Sequence, residues 1–263
     1  MDLPWLALQA EDVTLVGLLV LFAFLPPILF ATWIRNTERY GREPWWAIAR
    51  AFLWGAVFAV IIGATLSLVL VFLIENVTPV YEILARRGFD PGTIVLALVV
   101  APFTEELAKA FGVWRTGDTI REPEDGLVYG ATCGLGFSAT ENLLYGAWAL
   151  TMAGFWAFLV LIAVRSVSSS LLHASATSLT GYGIARRKLW GPRFSVLPWY
   201  LGAVTIHAGF NGLASLGVLY MGAYGEGLGA LFVLASAVIF ALIAISLVRG
   251  KILEHEGRED WAR

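Results

Sequence analysis

Two adjacent carboxylates and an ammonium, Glu105, Glu106 and Lys109, interrupt a stretch otherwise apolar enough to cross a membrane. Charges at that depth cost about 2.5–3.5 kcal/mol each unless they are paired or used. Other apolar stretches carry Glu141, Arg165, His173, His207 and Asn211. Two imidazoles and one carboxylate can hold a divalent metal with a position left open, and a spare Glu can act as general base toward water so activated. Glu141, His173 and His207 supply that ligand count. Zinc suits nitrogen and oxygen donors, and ligand type alone leaves manganese and iron open. Glu105 or Glu106 would take a proton from the water and pass it to a leaving amine. Lys109, four residues from Glu105, would keep the other carboxylate ionised and oriented. Asn211 shares a helix face with His207 and would donate to the oxyanion of a tetrahedral intermediate. Arg165, Ser169 and His173 form another stripe. From it Arg165 would steady the site, reach a substrate carbonyl, or pair with helix C-terminal carbonyls.

Composition says what must position these groups. Of 263 residues 58% are hydrophobic and 14% charged, which excludes an ordinary soluble protein and indicates a polytopic membrane protein embedded in the lipid bilayer. A net charge of -2 offers no basic face, so no nucleic-acid partner is expected. The single Cys133 allows neither a disulfide framework nor a thiolate zinc site and reads as a small core residue. Residues 1–12 lack Lys and Arg, hence the basic region of a signal peptide, so the first apolar segment is expected to stay as a helix.

At about 20 apolar residues per crossing, seven segments qualify, near 13–34, 46–74, 93–114, 126–150, 155–185, 196–221 and 228–248. The expected fold is all-α, a bundle of about seven transmembrane helices. It forms one integral-membrane domain over residues 1–263 with its catalytic core in about 93–221. Basic residues crowd the first, third and fifth connections and the C-terminal tail, whereas the opposite side holds Arg86 and Arg87. The N-terminus is therefore expected outside and the C-terminus in the cytoplasm. At a rise of about 1.5 Å per residue from each cytoplasmic end, Glu105 and Glu106 lie about 12–14 Å deep, His173 and His207 about 15–17 Å and Glu141 about 22 Å. Four helices thus bring ionisable groups to a similar level, as a site built at the bundle centre requires. Gly126, Gly130, Gly134 and Gly136 recur at spacings that let membrane helices approach closely.

Other chemistries use some of these residues. A proton- or ion-coupled transporter could relay through the buried carboxylates and Arg165, with Pro102 breaking a helix before the Glu pair. Gly136-Phe137-Ser138-Ala139 loosely matches the serine motif of rhomboid-like proteases but lacks its final Gly and leaves the glutamates idle. His255 lies in the polar tail without the second His of a zincin motif.

The same residues, in order, resemble the PrsW family of intramembrane metalloproteases within the CAAX and ABI group. The matching features are Glu105-Glu106-x-x-Lys109, Asp125-Gly126 leading to Tyr129-Gly130, Gly136-Phe137 with Glu141-Asn142, His173, and His207-x-x-x-Asn211, with Arg42-Glu43-Pro44-Trp45 earlier. Where CAAX and ABI proteins have Phe-x-x-x-His, Phe137 is followed by Glu141, and Lys109 comes one residue before their Arg. Those departures favour the PrsW branch over prenyl-peptide substrates. The resemblance implies an integral protein of a bacterial or archaeal cell membrane that cuts membrane-anchored, anti-sigma-factor-like proteins. It leans to Glu105 as the base and leaves His207 either a metal ligand or an oxyanion donor.

Overall fold

The computed structural model describes residues 10–38, 41–77, 82, 86, 91–224 and 228–260. Arg87, one of the residues behind the expected orientation, lies outside them. Every element among the described residues is helical. Helix α1 is Ala10–Arg35. After a loop, α2 (Trp45–Leu53) runs through a π-helical turn, Trp54–Ala59, into α3 (Val60–Val77). The short α4 (Pro91–Val95) passes through a second π turn, Leu96–Val100, into α5 (Ala101–Arg115). Helices α6 (Pro123–Trp190), α7 (Leu197–Tyr224) and α8 (Leu228–Asp260) complete the bundle.

Helix α6 organises the rest. Glu122 and Asp125 form a capping box around Pro123, satisfying amide groups that a helix start leaves free. In mid-course Gly154 has φ +84° and ψ -178°, a conformation open to glycine and strained for any side chain. There the helix folds back, between the expected fourth and fifth spans, giving two antiparallel arms over residues 123–153 and 155–190. Glycines close them together. A Cβ at Gly126 would stand 2.7 Å from that of Ala185, one at Gly130 2.5 Å from the Thr177 carbonyl oxygen, and one at Gly134 2.5 Å from the His173 carbonyl carbon. The glycine stripe therefore sets how near the His173 backbone lies to the first arm.

Around this hairpin, Ile34, Ile48, Val113, Tyr129, Leu171 and Ile245 bring α1, α2, α5, both α6 arms and α8 into one core. Trp54, at the start of the first π turn, ties it to α5 by donating from Nε1 to the Ala108 carbonyl at 3.1 Å. Cys133 is fully buried in the same core, as its apolar setting suggests. The outer surface is apolar, with Trp156 77%, Leu68 74% and Leu247 70% exposed. Such a surface suits lipid and would aggregate in water.

Among the described residues four helices, Val13–Arg35, Trp45–Glu75, Pro123–Trp190 and Ala235–His255, are long and apolar enough to cross a membrane. The expected spans near 93–114 and 196–221 are not among them. Their helices contain Glu105, Glu106 and Lys109, and His207 and Asn211, respectively. Helix α5 alone, at 15 residues, is shorter than a crossing, and His207 and Asn211 dilute the apolar signal of α7.

Candidate active site

The Glu pair sits at the start of α5 just after a disturbed turn. In that π turn the Ala101 amide reaches back five residues to the Leu96 carbonyl. Pro102 follows without an amide hydrogen, so the next carbonyl in that pattern, Ala97, receives nothing from its own helix. Asn211 Nδ2 of α7 donates to it at 2.8 Å. Ser67 Oγ of α3 lies 2.6 Å from Thr104 Oγ1, and Tyr200 Oη of α7 donates to the Phe103 carbonyl at 2.7 Å. These ties fix the direction in which the two carboxylates leave the helix.

They point to different places. Glu106 is fully buried and accepts from Lys109 Nζ at 2.6 Å, Thr177 Oγ1 at 2.9 Å and His207 Nδ1 at 3.0 Å. Lys109 Nζ is 3.8 Å from Glu105, so Glu106 rather than Glu105 is its close partner. The same ammonium stands 3.0 Å from His173 Nδ1 and 4.3 Å from the centre of the Phe137 ring. Because an ammonium only donates, neutral His173 carries its hydrogen on Nε2. That atom faces Glu141 Oε2 at 2.9 Å. His207 donates from Nδ1 to Glu106 and so turns the lone pair of Nε2 toward Glu105, 3.8 Å away.

Glu105 faces a cavity of about 610 Å³ that it shares with Glu141, Arg165, His173, His207 and Asn211. Its Oε2 is buried without a hydrogen-bond donor. On the other side of His173, Arg165 holds Glu141 Oε2 at 2.8 Å, Asn142 Oδ1 at 3.0 Å and Ser169 Oγ at 3.1 Å, and stacks 4.0 Å over Tyr145. Of the three roles open to Arg165, steadying the site matches these bonds. Every candidate residue named from the sequence thus lies in or directly behind one cavity. Sequence reasoning missed Thr177 and Tyr145, each one helical turn from a candidate, His173 and Glu141, and that spacing was the available signal.

The donor set fits a divalent cation. Glu105, His173 and His207 each offer one ligand atom, and these atoms lie within 4.8 Å of one another. A buried carboxylate oxygen lacking any donor, beside two imidazoles, is what such an ion would satisfy. Glu141, expected from the ligand count as the third ligand, borders this trio through His173 and is held by Arg165. Ser138 is buried against Ser170 Oγ at 2.9 Å, and His207 is committed to Glu106, so the residues of the serine-protease alternative do not pair.

A sequence profile described as PrsW family intramembrane metalloprotease matches residues 43–245. The chain is similar to Protease PrsW of Clostridioides difficile, 32% identical over 130 residues, covering 48% of this chain and 50% of that protein. It is similar also to Protease PrsW of Geobacillus kaustophilus, 28% identical over 123 residues, covering 46% and 48%. The matched segments thus span about half the length of these relatives. No solved structure matches the chain.

Proposed function

The chain belongs to the PrsW family of intramembrane metalloproteases, and from that premise we propose that it hydrolyses a peptide bond in a membrane-anchored protein of a bacterial or archaeal cell membrane. The observation that carries this reading is the donor-free Glu105 oxygen placed with the nitrogens of His173 and His207. Those three residues would hold the cation, most suitably zinc; ligation by His173 requires Lys109 to give up a proton, so that Nδ1 carries the ring hydrogen toward Lys109 and Nε2 turns its lone pair to the ion. Such an ion would supply Lewis acidity to the scissile carbonyl and would lower the pKa of water toward neutrality.

The chain's own groups do the rest. Glu141 faces the cavity with Arg165 keeping it ionised, takes the proton of the attacking water and returns it to the leaving amine. Asn211 uses one amide hydrogen on the Ala97 carbonyl and keeps the other for the oxyanion. Glu106 and Lys109 are positioning residues, fixing the ring orientations of His207 and His173. This reading exchanges the roles expected for Glu105, the base to which the resemblance leaned, and Glu141, a ligand by donor count. The bilayer arrangement remains N-terminus out and C-terminus in, with α5 and α7 crossing beside the four strongly apolar helices and α6 crossing twice.

The test is metal content and cleavage measured together. Wild-type protein, co-expressed with a panel of single-span membrane proteins, should cut at least one, stop on chelation and recover with zinc. Glu105→Gln should lose both metal and cleavage, whereas Glu141→Gln should keep the metal and lose cleavage by about 100-fold or more. A Glu105→Gln enzyme that keeps full metal but cannot cut would return the base to Glu105 and the ligand place to Glu141. Wild-type protein that binds no metal overturns the reading.

A further inference from the structure

At the membrane end where α6 gives way to α7, the Arg186 guanidinium is surrounded by aromatic rings. Its Cζ lies 5.7, 5.0, 5.3 and 5.4 Å from the centres of Tyr182, Trp190, Phe194 and Trp199. Its Nε is buried without a hydrogen-bond partner. Among the described residues no carboxylate comes within ion-pair distance of it, whereas Lys251, which lines the neighbouring cleft, is already joined to Glu254 at 2.8 Å. A guanidinium in this state presents a planar fork of donors that matches phosphate oxygens.

Two of the same rings close one end of a separate cleft. Tyr182 and Trp199 border a groove of about 450 Å³ that continues between α6, α7 and α8 past Ile206 and Phe240. Its α8 wall opens to the bilayer, with Ile243 57% and Leu247 70% exposed. A cation set among aromatics at the interface, leading into an apolar furrow, has the polarity of an amphiphile with a negative head and a hydrocarbon tail. Free phosphate would use the cation and leave the furrow empty.

We propose that this is a binding site for an anionic glycerophospholipid, with its phosphate on Arg186 and one acyl chain in the groove. The occupant lies behind α7. Ile206 borders the groove while the adjacent His207 borders the catalytic cavity, so one helix wall serves both sites. Trp199 is also the residue that α7 packs on Gly183, where a Cβ would come within 2.7 Å of its ring. A lipid filling the furrow supports the helix that presents His207.

The full chain, purified in detergent and stripped of lipid, is titrated with phosphatidylglycerol, with phosphatidylcholine of the same acyl chains, and with inorganic phosphate. Thermal midpoint and native mass spectrometry are the readouts. Phosphatidylglycerol should bind about fivefold more tightly than phosphatidylcholine, the effect of one basic residue near an anionic head, and phosphate alone should shift nothing. Arg186→Gln should erase that preference and Arg186→Lys should retain most of it. Ile243→Trp, a change at an exposed position that fills the groove, should weaken both lipids. Equal binding of the two lipids by wild type, an equal shift from phosphate alone, or full phosphatidylglycerol preference in Arg186→Gln overturns the proposal. Should Arg186→Gln not fold, unchanged lipid binding by Ile243→Trp overturns it as well.

Discussion

Replacing Gly134 by Ala tests how the hairpin delivers His173. The added methyl would stand 2.5 Å from the His173 carbonyl carbon, and closer still to its oxygen. Carbon atoms rest about 3.5–4.0 Å apart, so the two arms of α6 must part by about 1 Å at this level. Neither contact is the end of a flexible side chain, so no rotamer change relieves it. Overpacking of this kind costs about 1–3 kcal/mol, within reach of a folded variant. The catalytic effect should be larger in proportion, because a displacement of about 1 Å at a reacting group costs about 100-fold. His173 would withdraw from Lys109 and from Glu141. The expected result is a folded protein with weakened metal retention and cleavage down about 100-fold. Gly17→Ala, where a Cβ meets nothing within 4 Å, should match wild type. Wild-type cleavage by Gly134→Ala, measured on a reporter that the unaltered chain cuts, would refute the idea that close arm packing sets the site.

Lys109→Met leaves Glu106 buried beside His207 without its cation and should lower stability by about 3–5 kcal/mol, seen as a fall in thermal midpoint. Adding Glu106→Leu should recover much of that stability without recovering cleavage. Arg165→Lys keeps the charge but cannot span Glu141, Asn142 and Ser169 together, and should cut the rate about 10–100-fold while metal content stays near wild type. In the first loop, burial raises Glu38 from 4.5 to about 9 and Glu43 from 4.5 to about 8. Because the folded state then holds more protons than the unfolded one, stability should fall as pH rises from about 4.5 to about 9. The midpoint should be higher at pH 6 than at pH 9, and Glu38→Gln should flatten the difference; a midpoint that rises with pH contradicts the burial argument.

The sequence disclosed which helices carry chemistry because ionisable residues stand out against apolar spans, and the shared depth of Glu105, Glu141, His173 and His207 brought them to one level. It also marked the glycine stripe as a packing surface. It could not show how far each helix is rotated about its axis. Lys109 faces both glutamates at helical spacing, and only Thr177 and His207 arriving from other helices make Glu106 its partner. Asn211 was legible as a donor one turn from His207. That it spends a hydrogen on Ala97 depends on the π turn and Pro102 together, and nothing in local propensity signals a π turn. The fold-back at Gly154 was legible as a gap between two apolar segments, while the left-handed backbone there appears only in three dimensions.

The π turns have a consequence for length. Each stores, in effect, one extra residue within an otherwise α-helical rod. Losing a residue from an ordinary turn swings everything beyond it by about 100°. Losing one from Leu96–Val100 can instead tighten the coil and leave α5 aimed as before. Such a shortened chain would keep its Glu pair facing inward, and because Pro102 still brings no amide hydrogen the carbonyl on which Asn211 rests would stay free, so insertions and deletions in this stretch offer a way to retune the cavity wall without turning the helix that carries the carboxylates.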